Sequence, residues 1–310
     1  MEKTAEKKHI RLSRGDRVFV TINGILLALF FVIELYPMVY VLSASFSDPL
    51  AVGSGEMLLW PVKPSLQGYQ YILQYKTIWS GYLNTIFYTV AGTLLNLAVT
   101  IPCAYALSRR DFPDKGIFMA LFMFTMYFSG GTIPAYLNYK SFGLLNTPWV
   151  LIISGAMSVY NMIVARTFFA SSIPWELHEA ARIDGASDIR MFFSIVLPLS
   201  KAIMAVMVLY YGVGHWNEYF SAMLYLPQAK NLWPLQLVLR DILIKSSFAK
   251  DAFSDGVMDA DQMMELLRQQ DTANMMKYCV IVAATVPMLV IYPFLQKYFA
   301  KGVMIGSVKG

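Results

Sequence analysis

The chain has 310 residues, of which 57% are hydrophobic and 15% charged, with a mean hydropathy of +0.50. Soluble domains carry about a quarter charged residues, so this composition excludes an ordinary globular protein and points to a membrane protein. The net charge of +5 comes from Lys and Arg scattered over many short segments, which excludes a nucleic-acid-binding face.

The first 17 residues carry Lys3, Lys7, Lys8, Arg11, Arg14 and Arg17. The apolar stretch that follows, to about residue 45, is too long for a cleavable signal peptide and is expected to remain as a first span. A span needs about 20 mostly apolar residues. Six stretches qualify: 18–43, 82–107, 117–136, 149–169, 199–224 and 275–294. The third is interrupted by Ser129, Gly130, Gly131 and Pro134. A break at membrane depth is tolerated only against protein or a water-filled cavity, so this span is not expected to face lipid throughout. Cys103 and Cys279 both lie in apolar runs with no companion at metal-ligand spacing, and read as small core residues.

Six spans place both termini on one side. The segments on that side hold 16 Lys and Arg against eight on the other, which predicts a cytoplasmic N-terminal segment 1–17 and a cytoplasmic tail 295–310 around a membrane domain 18–294. The two longest external segments are 46–81, rich in aromatic residues, and 227–272, whose stretch 259–270 reads as an amphipathic helix.

The cytoplasmic loop 170–198 carries the most information. Ser172, Pro174 and Glu176 are helix-start residues. Leu177, Ala180, Ala181 and Ile183 predict a short amphipathic helix, and Gly185 is placed to end it. A second short helix is expected before Pro198. The first helix would lie across the ends of the spans with small residues outward, open to close approach by a partner, and Glu179 would offer a handle for a basic group.

The same loop resembles the signature of bacterial ATP-binding-cassette import permeases: Glu-Ala-Ala, three residues, Gly, nine residues, Ile, one residue, Leu-Pro. Glu179, Ala180, Ala181, Gly185, Ile195, Leu197 and Pro198 match it at every spacing, with Asp184 before the glycine. The segments 104–109, 143–147, 216–218 and 296–302 resemble the maltose-permease-like carbohydrate branch. Phe128-Ser-Gly-Gly-Thr-Ile-Pro134 and the polar insert before the last span resemble the sub-branch assigned to complex polysaccharide or uronate oligosaccharide uptake.

The resemblance implies the type I importer permease fold, an all-α membrane protein of six transmembrane helices with a cytoplasmic coupling helix. It also implies a second permease subunit, most simply as a heterodimer, two cytoplasmic ATPases, an extracellular solute-binding protein and an oligosaccharide substrate. ATP and Mg would reside on the ATPases, with no cofactor on this chain. No Gly-x4-Gly-Lys-Ser/Thr loop occurs in the sequence, in keeping with that division.

In the fifth span, Tyr210, Gly214, Asn217 and Ser221 share one face of a continuous helix, with Glu218 beside it. That face either touches substrate or supplies helix–helix hydrogen bonds. His178 and His215, lone histidines, read as structural. The competing functions are an ion-coupled secondary carrier and a membrane-embedded enzyme. The first would be expected to show broken helices in both halves, the second a catalytic constellation.

Overall fold

The computed structural model describes residues 13–252 and 276–293, with Met264, Ala273 and Asn274; regular structure among these residues is helical, without strands. The expected amphipathic helix 259–270, Met264 apart, and the tail 295–310 lie outside the described residues. The chain divides into two units, 1–68 and 69–310.

The first unit contains α1 (Arg14–Ser45), which covers the first expected span. Ser13 and Asp16 form a reciprocal capping box, each side chain accepting from the other's N–H at 3.1 Å. At 32 residues α1 is about 48 Å long, more than a bilayer's hydrocarbon core requires. After α1 the chain folds back on itself: Ser65 N–H donates to Phe46 O at 2.8 Å and Asp48 N–H to Val62 O at 3.1 Å.

In the second unit, α2 (Lys76–Ser108) is the central rod and begins six residues before the expected 82. Next come α3 (Lys115–Tyr127) and α4 (Thr132–Ser141), bent by 109° at the expected break. No residue of α3 is fully buried, but Met119 and Phe122 pack against the core around α2, so part of the third span's protein cover comes from this chain. A short helix, Trp149–Ile153, leads to α5 (Val159–Ser172). The loop that follows holds α6 (Trp175–Ile183) and α7 (Asp188–Leu199), and the chain then turns by 82° at Ser200 into α8 (Lys201–Trp216). The rest is α9 (Phe220–Tyr225), α10 (Leu235–Ala252) and α11 (Met276–Pro293).

Among the described residues three helices, α1, α2 and α11, are long and apolar enough to cross a membrane unbroken, and the bent pairs α3–α4 and α7–α8 qualify together. Two expectations of continuous spans are corrected. The fourth, 149–169, is interrupted at 154–158, and the fifth, 199–224, at 217–219. A hydropathy window averages over a few polar residues and so runs through such breaks.

Helices α5 and α8 pack on α2, sharing the core of Ile101, Ala104, Met162, Ala165 and Met207. A second cluster joins Ile78 to Leu235, Val280 and Ala284, and a third joins Tyr88 to Val150, Ala222 and Leu226. Polar side chains of α2 supply what neighbouring helix ends lack. Thr85 Oγ1, for example, accepts the N–H of Leu235 at 2.8 Å and caps α10.

Candidate functional site

Helix α6 ends in a Schellman motif. Ala186 N–H donates to Ala181 O at 2.9 Å and Gly185 N–H to Arg182 O at 3.0 Å, with Gly185 at φ +73°. A Cβ at Gly185 would meet nothing within 4 Å, so the glycine is required by its backbone conformation and not by crowding. Ser187 then caps α7 by accepting the Arg190 N–H.

Exposure sorts the signature residues into two groups. Glu179, Ala180, Asp184 and Gly185 are exposed on one outer surface. Ala181 is buried, and Ile195 and Leu197 pack against the core around α2. Pro198 is exposed two residues before the bend; its ring cannot accommodate an ordinary i−4 carbonyl, and the helix widens into a π turn at Phe192–Val196 just upstream. Ala181, expected outward with the other small residues, is buried instead, and Ile183 is 86% exposed. It lies two residues from buried Ala181, about 200° around the helix, so the two cannot share a face.

Side chains at the end of α2 hold this loop. Arg109 grips Asp111 with Nε at 2.8 Å and Nη2 at 2.6 Å, and reaches Asp188 with Nη1 at 2.6 Å. The hydrogen bonds to Asp111 and Asp188 hold the guanidinium firmly protonated, and Arg109 in turn lowers the Asp111 carboxyl to about 2. One turn earlier, Tyr105 Oη lies 3.2 Å from His178 Nε2. The His178 ring is stacked between Tyr105 and Trp175, and burial lowers its pKa.

A separate polar cavity of about 290 Å³ lies where the fourth and fifth spans break. Its lining includes Ser158, Asn161, Tyr210, His215, Glu218 and Ser221. Of the substrate-path residues expected from the sequence, Tyr210, Glu218 and Ser221 meet here. Asn217 does not: helix α8 stops at Trp216, and Asn217 is exposed outside the lining. Glu218 accepts the Ser221 N–H at 2.8 Å and starts α9. Trp216 points the other way, donating to Ala284 O at 3.1 Å.

The break in the fourth span leaves backbone groups that would be costly in a membrane. Asn96 Nδ2 donates to Gly155 O, and the Ser158 N–H donates to Tyr211 Oη at 3.1 Å. Asn96 Oδ1 faces His215 Nε2 at 2.7 Å. A carbonyl can only accept, so the Gly155 contact fixes the Asn96 amide and makes His215 Nε2 the proton donor. Asn96, Ser158, Asn161 and Tyr211 escaped the sequence reading, and Arg109 entered it only as a topology charge and part of a resemblance. The amide at 96, in the middle of a mostly apolar run, was the available signal.

The fold and the two sites define an inner-membrane transport subunit, and comparison with known proteins agrees. Residues 77–305 match the family described as binding-protein-dependent transport system inner membrane component, and the chain belongs to that family. It is 41% identical over 296 residues to the polygalacturonan/rhamnogalacturonan transport system permease YtcP of Bacillus subtilis, covering 95% of this chain and 99% of that protein. It is 38% identical over 306 residues to LplC of the same organism, covering 99% and 100%. Among solved structures, a bacterial ABC transporter that imports the acidic polysaccharide alginate superposes with a TM-score of 0.81 at 34% identity, over 94% of this chain and all of that one.

The protein is therefore a permease subunit of an ATP-binding-cassette importer, with the all-α type I architecture, and not an enzyme. It works with a partner permease, an ATPase and a solute-binding protein, as its family does. The readings as an ion-coupled carrier and as a membrane enzyme are set aside.

Proposed function

We propose that the chain carries a uronate-containing oligosaccharide through the polar cavity between α5 and α8. The observation that carries a sugar substrate is the lining itself. Hydroxyls, an amide, an imidazole and a carboxylate stand beside the rings of Tyr210 and Tyr211, a mixture suited to sugar hydroxyls and to the apolar faces of pyranose rings. The acidic class is supported by two relatives, one named for polygalacturonan and rhamnogalacturonan and one for alginate.

On this reading both termini and α6 are cytoplasmic. Glu179, Ala180, Asp184, Gly185 and the exposed Ile183 form the surface that docks on an ATPase, while Ala181, Ile195, Leu197 and Pro198 shape and anchor it. Two ATPases hold ATP and Mg, this chain holds no cofactor, and a different permease completes a heterodimer. An extracellular binding protein delivers the sugar.

The test is uptake into proteoliposomes holding the whole importer and its binding protein, comparing oligogalacturonate with a neutral malto-oligosaccharide. ATP-dependent uptake of oligogalacturonate is expected. Uptake of the neutral sugar alone would refute the acidic class, and ATP-dependent uptake of neither, but of an amino acid, would refute the sugar reading.

A further inference from the structure

We propose that Tyr105 and Arg109 are positioning residues: a two-point clamp that carries movement of the loop α6–α7 into α2, and along α2 to the polar cavity. This rests on the reading of that loop as the ATPase-coupling segment.

The geometry is specific. Tyr105 stands in the last turn of α2 and Arg109 is the residue that caps it, with its guanidinium 6.0 Å from the Tyr105 ring centroid. Each holds a different arm of the loop. Tyr105 Oη meets His178 of α6 at 3.2 Å, and Arg109 meets Asp188 of α7 at 2.6 Å. Between the arms the chain turns at Gly185, where nothing crowds the backbone. Both arms also pack on the core around α2, through Ala181 on α6 and Met191 on α7, so the two polar contacts give direction to arms that are already seated.

Arg109 is built as a rigid part. Its side chain is 13% exposed, and Nε and Nη2 are both engaged by Asp111, so Nη1 is presented to Asp188 in a fixed direction. Asp188 is 74% exposed, and such a pair adds little to stability. The arrangement therefore suits placing α7 better than stabilising the fold. From Arg109 to Asn96 is about 20 Å along α2. There Asn96 holds His215 and the carbonyl at the fourth-span break. One helix, continuous from Lys76 to Ser108 although it carries Pro102, thus joins the coupling loop to the cavity wall.

The experiment uses the whole importer in proteoliposomes, with Cys103→Ala and Cys279→Ala and a reporter, Ser154→Cys, in the cavity wall. The rate of maleimide labelling is measured with and without ATP and vanadate. In the parent, nucleotide trapping should change the rate roughly fivefold or more, the lower range of allosteric couplings.

Asp188→Asn, conservative and exposed, should fold and trap as much nucleotide yet lose most of that change. Arg109→Ala should do the same, and the double variant should lose no more than either single one, because both remove one linkage. A purely structural role would instead lower membrane abundance and trapping together. The clamp is wrong if Asp188→Asn, fully abundant, keeps the parent's response, or if the two losses add. A parent that traps nucleotide with no change in labelling would defeat the coupled-transport reading itself, which separates the two failures.

Discussion

Asn96 and His215, 119 positions apart in sequence, hold each other across the packing of α2 on α8, Oδ1 to Nε2 at 2.7 Å. Because the same amide also serves the Gly155 carbonyl, one side chain closes a backbone break and orients a cavity imidazole. Replacing Asn96 by Leu would leave both partners unpaired in a poorly hydrated interior, at about 1–3 kcal/mol for each orphaned group. The expected outcome is a lower thermal midpoint in detergent and reduced sugar uptake. Normal values for both would show that the pair is dispensable.

Gly92 is where the His215 ring crosses α2. A Cβ built there would lie 2.4 Å from the imidazole, closer than any contact can be. Gly92→Ala should therefore displace His215 and break its bond to Asn96, even though alanine is the better helix former. Uptake should fall while ATPase capture on affinity purification stays intact. Unchanged uptake would mean that the histidine moves aside at no cost.

At Gly185 the cost is backbone strain alone. A β-branched residue held in the left-handed region costs about 1–2 kcal/mol, whereas asparagine adopts it more readily. Gly185→Val and Glu179→Ala should insert in the membrane but fail to couple ATP hydrolysis to uptake, and Gly185→Asn should retain most coupling. Equal loss in Gly185→Asn and Gly185→Val would point to contact with the partner at that position rather than to conformation.

Burial, the largest influence on His178, lowers its pKa from the usual 6.5. A histidine shifted this way binds fewer protons folded than unfolded, so its contribution to stability is present above 6.5 and is lost as pH falls below that value. The thermal midpoint of the purified protein should drop on acidification below 6.5, and the drop should be smaller in His178→Asn. An identical acid response in both proteins would exclude His178 as its source.

Topology has its own test. In intact cells, an impermeant maleimide should label a cysteine placed at Ser254 and spare one placed at Ser187. The opposite pattern would invert the membrane orientation and with it the placing of the coupling loop.

The sequence by itself determined the features that are local. Apolar run length gave the membrane class. The spacing from Glu179 to Gly185 gave a short helix and its stop, because helix signals and a glycine terminator are encoded within a few residues. Tertiary structure decided the rest. Ala181 was read as outward from its small size, but packing buries it and turns Ile183, two residues on, to the outside. The breaks at 154–158 and 217–219 survive because Asn96, Tyr211 and Glu218 pair the exposed backbone groups, and two of those three partners are distant in sequence. The joining of Arg109 to Asp188, 79 positions away, has no local signal either. Periodicity reports which face of a helix is apolar, but which polar group meets which is fixed only when packing brings remote helices within hydrogen-bonding range.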